Sequence, residues 1–443
     1  MVLESGDGKN SMALTGRMQF DMRSESNNST AHTAVHDSDR DTAGMADQFE
    51  MRRARIGVKG KMFEHFDYEV IGNLVGSNTN IIDVAYVNAG MYKQAQLKLG
   101  QFKQPFNLEE YGTSSNNIDF MERSYVNQLT PAKKTGAMLH GVPAKGLTYA
   151  ASVYQQNNLG ETDSENTGKG FAGRATVNFA ELAGWGDSVF HVGAAGFDSE
   201  YGVLPTSSSN GSTTTTGTVA TNGTVVGFRS AGRGLANAYR AQIGGNTVNA
   251  GPSMPSNAAA NVENKAYGLE LAMAKGPFKI QGEYTDQVFN ANQYSVNSYV
   301  HADVEAYYVE ALVMLTGENY ANWYKNGAWG GIKPTSNFDL ETGKGKGAWE
   351  LGVRFDAYDV SDVAAYSGSG AAGSSRIQGS QDAAKGGSAK TYTVGLKWQL
   401  TPNMRVLANY AHTKFGDSFT AVDTSLANIK KEDLLMVRSQ FSF

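Results

Sequence analysis

The last eleven residues of the chain, Asp433 to Phe443, read Asp-Leu-Leu-Met-Val-Arg-Ser-Gln-Phe-Ser-Phe. In an extended strand successive side chains point to opposite faces. Leu435, Val437, Phe441 and Phe443 therefore share one side, and Arg438, Gln440 and Ser442 share the other. A closed transmembrane barrel needs this pattern, because lipid lies outside it, water inside, and closure leaves no backbone edge unpaired in the membrane. The segment points to a strand of a bacterial outer-membrane barrel.

The same alternation recurs along the chain. Met12, Leu14, Met18 and Phe20 interleave with Thr15, Arg17, Gln19 and Asp21, and Ala95, Leu97 and Leu99 with Gln94, Gln96 and Lys98. Further on, Trp349, Leu351, Val353 and Phe355 interleave with Glu350, Arg354 and Asp356, and Tyr392, Val394, Leu396 and Trp398 with Thr393 and Lys397. The count comes to about sixteen strands, near 12–24, 47–60, 63–75, 82–90, 93–101, 135–141, 146–156, 170–180, 187–199, 263–275, 277–290, 302–316, 347–360, 389–400, 402–415 and 432–443. Short Gly-, Pro- or Asn-bearing turns such as 142–146, 182–186, 275–277 and 400–403 reverse the chain at one rim. The long connections 25–46, 102–134, 200–262, 361–388 and 416–431 belong at the other, extracellular rim. Residues 205–225, rich in Ser, Thr, Gly and Asn, read as a flexible surface loop. Strand parity puts the long segment 317–346 on the periplasmic side, where nothing in the sequence explains its length.

A chain of 443 residues would suit two or three soluble domains, yet it also makes one large barrel, and the expectation is a single domain spanning 1–443. Its 51 glycines, 9 prolines, 21 tyrosines and 20 phenylalanines favour strands and turns over helices. The negative mean hydropathy fits strands of which half the residues face water. No apolar run reaches the length of a transmembrane helix. The absence of cysteine excludes disulfides and thiolate metal sites. A net charge of -5 argues against a general nucleic-acid binder, although charges lining a lumen matter more than the total. Met1 is followed by Val-Leu-Glu-Ser-Gly-Asp without a basic and apolar signal segment, so this reading requires that the export signal has been removed or left out of the sequence.

The lumen should be lined by the polar phase of each strand. With Ala54, Ile56 and Val58 facing lipid, Arg53, Arg55 and Lys59 face inward, whereas Arg52 is out of phase. A lipid-facing arginine at mid-bilayer costs ~2–4 kcal/mol, which places Arg52 near a rim, at a bulge or against a neighbouring subunit. The same phasing sends Arg17, Arg23, Lys98, Arg174, Lys397, Arg405 and Arg438 inward, against Asp21, Glu270, Glu283, Glu310, Glu350 and Asp356. Such a lumen leans basic. Guanidinium groups pair bidentately with oxyanions, and several spaced sites pass an anion along without trapping it. The plainer alternative is that barrel walls carry both signs simply to order water and strand pairing.

Catalysis finds no support in the sequence. The seven histidines are scattered, and no Ser/His/Asp arrangement can be assembled from their spacing. Asp37, Asp39 and Asp41 lie beside His32 and His36, but the glycine and final glutamate of a calcium loop are missing, so a solvated acidic loop is the expectation. In 102–134, Glu109, Glu110, Asp119, Glu122 and Arg123 need be no more than salt bridges that fix a loop. No phosphate-cradling nucleotide loop precedes a helix. No catalytic residue, metal or cofactor is expected.

Several stretches together resemble the phosphate-selective porins of the O and P type. They are Gly16-Arg17, Met51-Arg-Arg-Ala-Arg55, Leu99-Gly-Gln-Phe-Lys-Gln-Pro-Phe-Asn-Leu-Glu109, Phe120-Met-Glu-Arg123, Ala266-Tyr-Gly-Leu-Glu270, Leu315-Thr-Gly-Glu318, Gly347-Ala-Trp-Glu-Leu351 and the terminal Phe443. The resemblance implies a homotrimer of sixteen-stranded antiparallel transmembrane β-barrels in the outer membrane, each with its third loop, about 102–134, folded inward as a constriction. Buried roles for Phe102, Phe106 and Phe120 would follow. It also implies passive diffusion of small hydrophilic solutes with a preference for small anions such as phosphate, contact with outer-membrane lipid and lipopolysaccharide, and no nucleic-acid partner. On that basis Arg17, Arg23, Arg53, Arg55, Lys98 and Arg123 are expected along the path, with Lys103 and Glu110 at the constriction. Arg229 and Arg233, with Arg240 nearby, fall in an arginine-rich fifth long loop that the family folds inward at the outer mouth.

The third loop departs from the family pattern. Glu110 stands where phosphate-selective members place a lysine, and Asn116-Asn117 stand where another is expected. The local charge changes by about three units, which favours a general or organic-solute porin as the alternative. An adhesive or receptor barrel is the alternative from another class, favoured by the polar tract 205–225.

Overall fold

The computed structural model describes residues 2–27, 48–75, 81–155, 168–203, 206–208, 217–220, 223–234, 239–243, 248–250, 260–293, 298–366, 376–378, 386–416 and 430–443. Sixteen antiparallel strands form one closed sheet: β1 (Ser11–Asn27), β2 (Gln48–Met62), β3 (Phe66–Asn73), β4 (Ile82–Tyr92), β5 (Ala95–Lys103), β6 (Lys133–Ala144), β7 (Leu147–Gln155) and β8 (Lys169–Asn178), then β9 (Ser188–Val203), β10 (Ala260–Lys275), β11 (Phe278–Gln293), β12 (Ser298–Met314), β13 (Ala348–Tyr366), β14 (Gly387–Thr401), β15 (Met404–Phe415) and β16 (Lys431–Ser442). Each strand pairs with the next, and β16 returns to β1 in the register Arg17↔Ser442 through Asn27↔Glu432. Val2–Glu4 is appended to the start of β1. The sixteen expected strands are these sixteen, with shifted ends. The expected third strand begins three residues late, because Phe63 and Glu64 adopt positive φ in the β2–β3 turn.

The two faces separate as the alternation predicts. Arg17, Gln19, Asp21 and Arg23 are buried on β1, whereas Met12, Leu14, Met18, Phe20 and Met22 are exposed on its other face. On β16, Leu434, Met436, Arg438 and Gln440 are buried while Leu435 and Phe441 are exposed. Large apolar groups on the solvent-exposed face of a closed sheet mark a lipid-facing surface. Aromatic pairs band it: Trp349 stacks on Trp398 at 5.0 Å near the periplasmic turns, and Phe355 meets Tyr392 at 5.1 Å nearer the opposite rim. No helix among the described residues is long and apolar enough to cross a membrane.

Arg52 owes its anomalous phase to a bulge. Register passes from Gln19↔Arg53 to Phe20↔Met51, so Arg52 is the extra residue and turns inward with Arg53. Within the tract 205–225 the described residues form short strands, Thr206–Ser208 pairing with Gly217–Ala220, and Gly223–Phe228 pairing with Tyr239–Ile243. The acidic loop at 37–41 lies outside the described residues.

The connection between β12 and β13 returns into the barrel. Tyr320–Trp323 forms a 3-10 turn, and Tyr324–Lys325 pairs with Ala328–Trp329 across Asn326-Gly327, whose φ values of 51° and 73° make a tight two-residue hairpin. Tyr320 and Trp329 pack with Leu108, Phe120, Val189, Ala272, Leu312 and Ala348 in a buried cluster. Trp329 Nε1 donates to Gln281 at 2.7 Å, and Tyr320 Oη to Glu350 at 2.8 Å. The length of this connection is what lets it reach interior-facing residues of β9–β13.

Candidate functional site

Between β5 and β6 lies the segment 104–132, whose residues bond to the interior faces of distant strands. It opens with one turn at Asn107–Tyr111. Asn107 takes φ 60°, a conformation asparagine tolerates, and its Oδ1 accepts from the Glu110 amide at 2.7 Å. The first free amides of the turn, Leu108 and Glu109, both donate to the Glu283 carboxylate of β11 at 2.7 and 2.8 Å. The Glu109 carboxylate in turn accepts from the Ser124 amide and hydroxyl, fixing the start of the short helix Tyr125–Gln128. Burial raises the Glu109 pKa although Arg354 and Ser124 oppose the shift.

On the β8–β14 side the segment is sealed in by ion pairs. Lys279 bonds to Asp119 at 2.6 Å, Lys397 reaches Asp119 at 3.6 Å and Glu350 at 2.6 Å, and Arg354 lies 3.5 Å from Glu109. Arg174 clasps Glu270 at 2.7 Å and also donates to the Gly327 carbonyl. The side chains of Lys279, Lys397, Arg354, Arg174, Glu270 and Glu350 are each at most 3 % exposed. The pairs that hold Asp119 outweigh its burial and keep its carboxyl well below the usual range. Trp329 ties the segment to the β12–β13 connection, its amide donating to the Gly112 carbonyl at 3.0 Å.

A second group converges on Glu122. Arg438 lies 2.7 Å away, Arg52 2.8 Å, Arg23 3.4 Å and Arg53 4.0 Å, while Asp21 pairs with Arg438 at 2.6 Å and Arg23 at 3.1 Å. Arg233 joins through Glu50 at 2.9 Å. The arginines override burial and hold the Glu122 carboxyl far below the ordinary value. Burial, then Arg52, push Arg233 down to about 10.

The third group faces the β1–β6 wall. Arg17 and Arg55 are directly opposed in the β1–β2 register. Arg55 pairs with Asp83 of β4 at 2.8 Å, and Lys133 of β6 bonds to the same carboxylate. Arg123 holds Glu110 at 2.9 Å, and Lys103 sits 3.5 Å from it while donating to the Thr113 carbonyl at 3.0 Å. Arg17 donates to Asn116 Oδ1 at 2.7 Å. Five cations here (Arg17, Arg55, Lys103, Arg123 and Lys133) share two carboxylates, Asp83 and Glu110, a formal excess of three positive charges. Unlike the sealed pairs, Lys103 and Lys133 keep 21 % and 18 % of their side chains exposed, and Arg55 12 %. Burial raises the Glu110 pKa, but Arg123 and Lys103 more than reverse this and keep its carboxylate charged far into acid.

Of the expected path residues, Arg17, Arg55, Lys103, Glu110 and Arg123 come together in this third group, while Arg23, Arg53 and Arg233 belong to the Glu122 group. Lys98 stands apart on β5, its ammonium 4.3 Å from the Tyr86 ring centre. Arg229 exchanges backbone hydrogen bonds with the Gln128 side chain at 2.9 and 3.1 Å, and the side chain of Arg240 lies outside the described residues. Glu110, expected as an anion offsetting the constriction, is neutralised by its partners. Asp83 and Lys133 were not anticipated: the alternation carries both, at the ends of β4 and β6, but nothing local shows that they meet. Among the described residues no group of three or more acidic or histidine side chains is arranged to hold a metal.

Comparison with known proteins agrees with this architecture. The family described as phosphate-selective porin O and P matches residues 27–443. Porin O of Pseudomonas aeruginosa is 25% identical over 389 residues, covering 83% of this chain and 77% of that protein. Among solved structures, in-vitro folded OmpT, an outer membrane protein of Vibrio cholerae, superposes with a TM-score of 0.56 at 10% identity, covering 100% of this chain and 99% of that one. The outer membrane channel DcaP of Acinetobacter baumannii gives 0.50 at 11% identity, over 100% and 99% of the two chains. The closed sixteen-stranded barrel, its lipid-facing exterior, its charged interior and the match over nearly the whole sequence lead to one conclusion: this outer-membrane porin belongs to the phosphate-selective porin O and P family.

Proposed function

We propose that the chain is an anion-preferring porin through which small hydrophilic solutes diffuse passively, with inorganic phosphate among them, and that it works as a homotrimer without catalytic chemistry. Segment 104–132 is the constriction, and solutes pass between it and the β1–β6 wall. The observation that carries this reading is the contrast in exposure: the acid-rich β8–β14 side is sealed, whereas the group with a formal excess of three positive charges retains accessible side chains. A permeating ion therefore meets a basic surface, and Arg17, Arg55 and Lys133 offer oxyanions guanidinium and ammonium donors side by side.

The lysine replaced by Glu110 is offset here by Lys103 and Arg123, which supports anion preference despite the altered loop. Asn116 gives Arg17 a neutral partner where the family places a cation, which favours weaker phosphate retention than a more basic loop would give.

The test is the reversal potential of the purified protein in a planar bilayer under a KCl gradient, repeated with phosphate added. A chloride-directed potential is expected, with current reduced by millimolar phosphate. A zero or cation-directed potential would establish a general porin instead.

A further inference from the structure

Two cations of the basic group are gathered on one backbone carbonyl. Lys103 Nζ donates to the Thr113 oxygen at 3.0 Å and Arg123 Nη2 to the same oxygen at 3.1 Å, and both side chains also reach the Glu110 carboxylate. A lysine head rides on a flexible four-carbon stem, so the acceptors that hold it decide where its charge sits. The Glu110 carboxylate is itself fixed by Asn127 Nδ2 at 2.9 Å. The place of Thr113 therefore sets how far Lys103 and Arg123 stand out from the segment.

Thr113 is placed from outside that segment. It runs beside Trp329 as an isolated parallel bridge, and the Trp329 amide donates to the Gly112 carbonyl at 3.0 Å. In the hairpin, Lys325 pairs with Ala328 next to the turn and Tyr324 with Trp329 one step further out. The outer pair of such a two-residue hairpin exchanges no backbone hydrogen bonds, which leaves the Trp329 amide free to face the segment. The approach is close: a Cβ on Gly112 would meet the Gly327 oxygen at 2.8 Å and the Leu108 side chain at 2.7 Å.

The hairpin is fastened in turn to the sealed side of the barrel. The Tyr324 hydroxyl hydrogen-bonds to His191 Nδ1 at 2.5 Å, and His191 Nε2 lies 3.1 Å from Glu270. Arg174 donates to the Gly327 carbonyl at 2.9 Å, and Trp329 Nε1 to Gln281 at 2.7 Å. Arg174, His191 and Gln281 belong to β8, β9 and β11 and are all buried. A continuous set of hydrogen bonds thus runs from three wall strands, through the hairpin, to the backbone on which two cations rest.

We propose that Trp329 is a positioning residue for ion selection: it holds Gly112 and Thr113 where Lys103 and Arg123 project towards the path, and so makes the hairpin Tyr324–Trp329 a determinant of anion preference. The inference rests on the reading that the basic group lines the path. With the hairpin displaced, Lys103 and Arg123 keep their acceptors on Glu109 and Glu110 and fold back onto them, withdrawing positive charge from passing ions.

The test is the reversal potential of the full-length protein in planar bilayers under a tenfold KCl gradient, for the wild type, Trp329→Ala, Gly112→Ala and Leu312→Ala. Gly112→Ala keeps every polar group and an ordinary φ of -80°, and parts the segment from the hairpin by crowding alone. In both Trp329→Ala and Gly112→Ala the chloride-to-potassium permeability ratio should fall roughly fivefold, the change expected if both cationic heads withdraw ~3 Å from an ion ~5 Å away in screened water. Leu312→Ala opens a void in the same buried cluster, so it should lower the temperature at which the folded band disappears in gel electrophoresis while keeping the wild-type ratio. If Trp329→Ala yields no folded band, Gly112→Ala decides the matter. A chloride-preferring wild type whose ratio survives Gly112→Ala overturns this inference alone, as does an equal fall in Leu312→Ala, which would assign the effect to packing in general. A wild type without chloride preference overturns the permeation reading and this inference with it.

Discussion

Replacing Arg17 with glutamine tests the electrostatics of the basic group from within: Arg17 is itself buried, but it stands directly opposite Arg55 in the group whose Arg55, Lys103 and Lys133 side chains are accessible. Arg17 bonds to the amide oxygen of Asn116 and, among the described residues, to no carboxylate, so the substitution strands no described buried anion. It lowers the local excess from three positive charges to two. A monovalent ion about 5 Å away feels one charge by ~0.8 kcal/mol in water. Ionic screening at 0.15 M, with a Debye length of ~8 Å, roughly halves this to ~0.4 kcal/mol, about a twofold change in occupancy. Anions lose that factor and cations gain it, so the chloride-to-potassium permeability ratio should fall about fourfold. The assay is the reversal potential under a tenfold KCl gradient, with Lys279→Gln as the control. Lys279 is also cationic and interior, yet its side chain is only 2 % exposed and bound to Asp119. If Arg17→Gln leaves the ratio unchanged, or Lys279→Gln shifts it as far, the division into accessible and sealed charges is wrong.

Two further outcomes rest on the same ion pairs. Glu122→Gln removes the anion shared by Arg52, Arg438, Arg23 and Arg53, and breaking such a buried pairing costs ~3–5 kcal/mol, so the temperature at which the folded band disappears in gel electrophoresis should fall; an unaltered temperature would show that the cluster adds nothing. Glu110 has a lowered pKa in the folded protein, so its ionised contribution is fully present above the ordinary carboxylate value and is lost only as pH falls through the lower folded value. Between pH 5 and 3, where an ordinary carboxylate takes up its proton, Glu110 should add nothing to anion preference, so the wild type and Glu110→Gln should follow parallel pH profiles; a wild-type rise across that window that Glu110→Gln lacks would mean that Glu110 is not held by Arg123 and Lys103.

Strand number and face are readable in the residues because the barrel imposes a period of two on every crossing. The misfit of Arg52 left a rim, a bulge or a subunit contact open, and the bulge is what turns it inward. The grouping of interior charges was not readable in the same way. Lys279 meets Asp119 and Arg438 meets Glu122 across sequence separations of 160 and 316 residues, and no local pattern states which cation will reach which acid. The phase of Lys98 and Arg55 is equivalent, yet one rests beside Tyr86 and the other joins the basic group. Asn326-Gly327 marks a hairpin in the connection whose length had no explanation, but the strands it joins are only two residues long and show no alternation.

That connection changes what kind of environment the barrel encloses. Where Tyr320 and Trp329 pack against β9–β13, the interior is not a wetted wall but a solid, and its side chains obey the rules of a soluble protein's centre. Shortening Leu312 or Leu108 there opens a void, at a cost of ~2–5 kcal/mol. Exchanging one polar group for another at solvent-reachable positions of β1–β6 changes little beyond the solute. Evolution can thus retune what passes on one side of the molecule while the other side, nominally lumen, holds the gauge fixed.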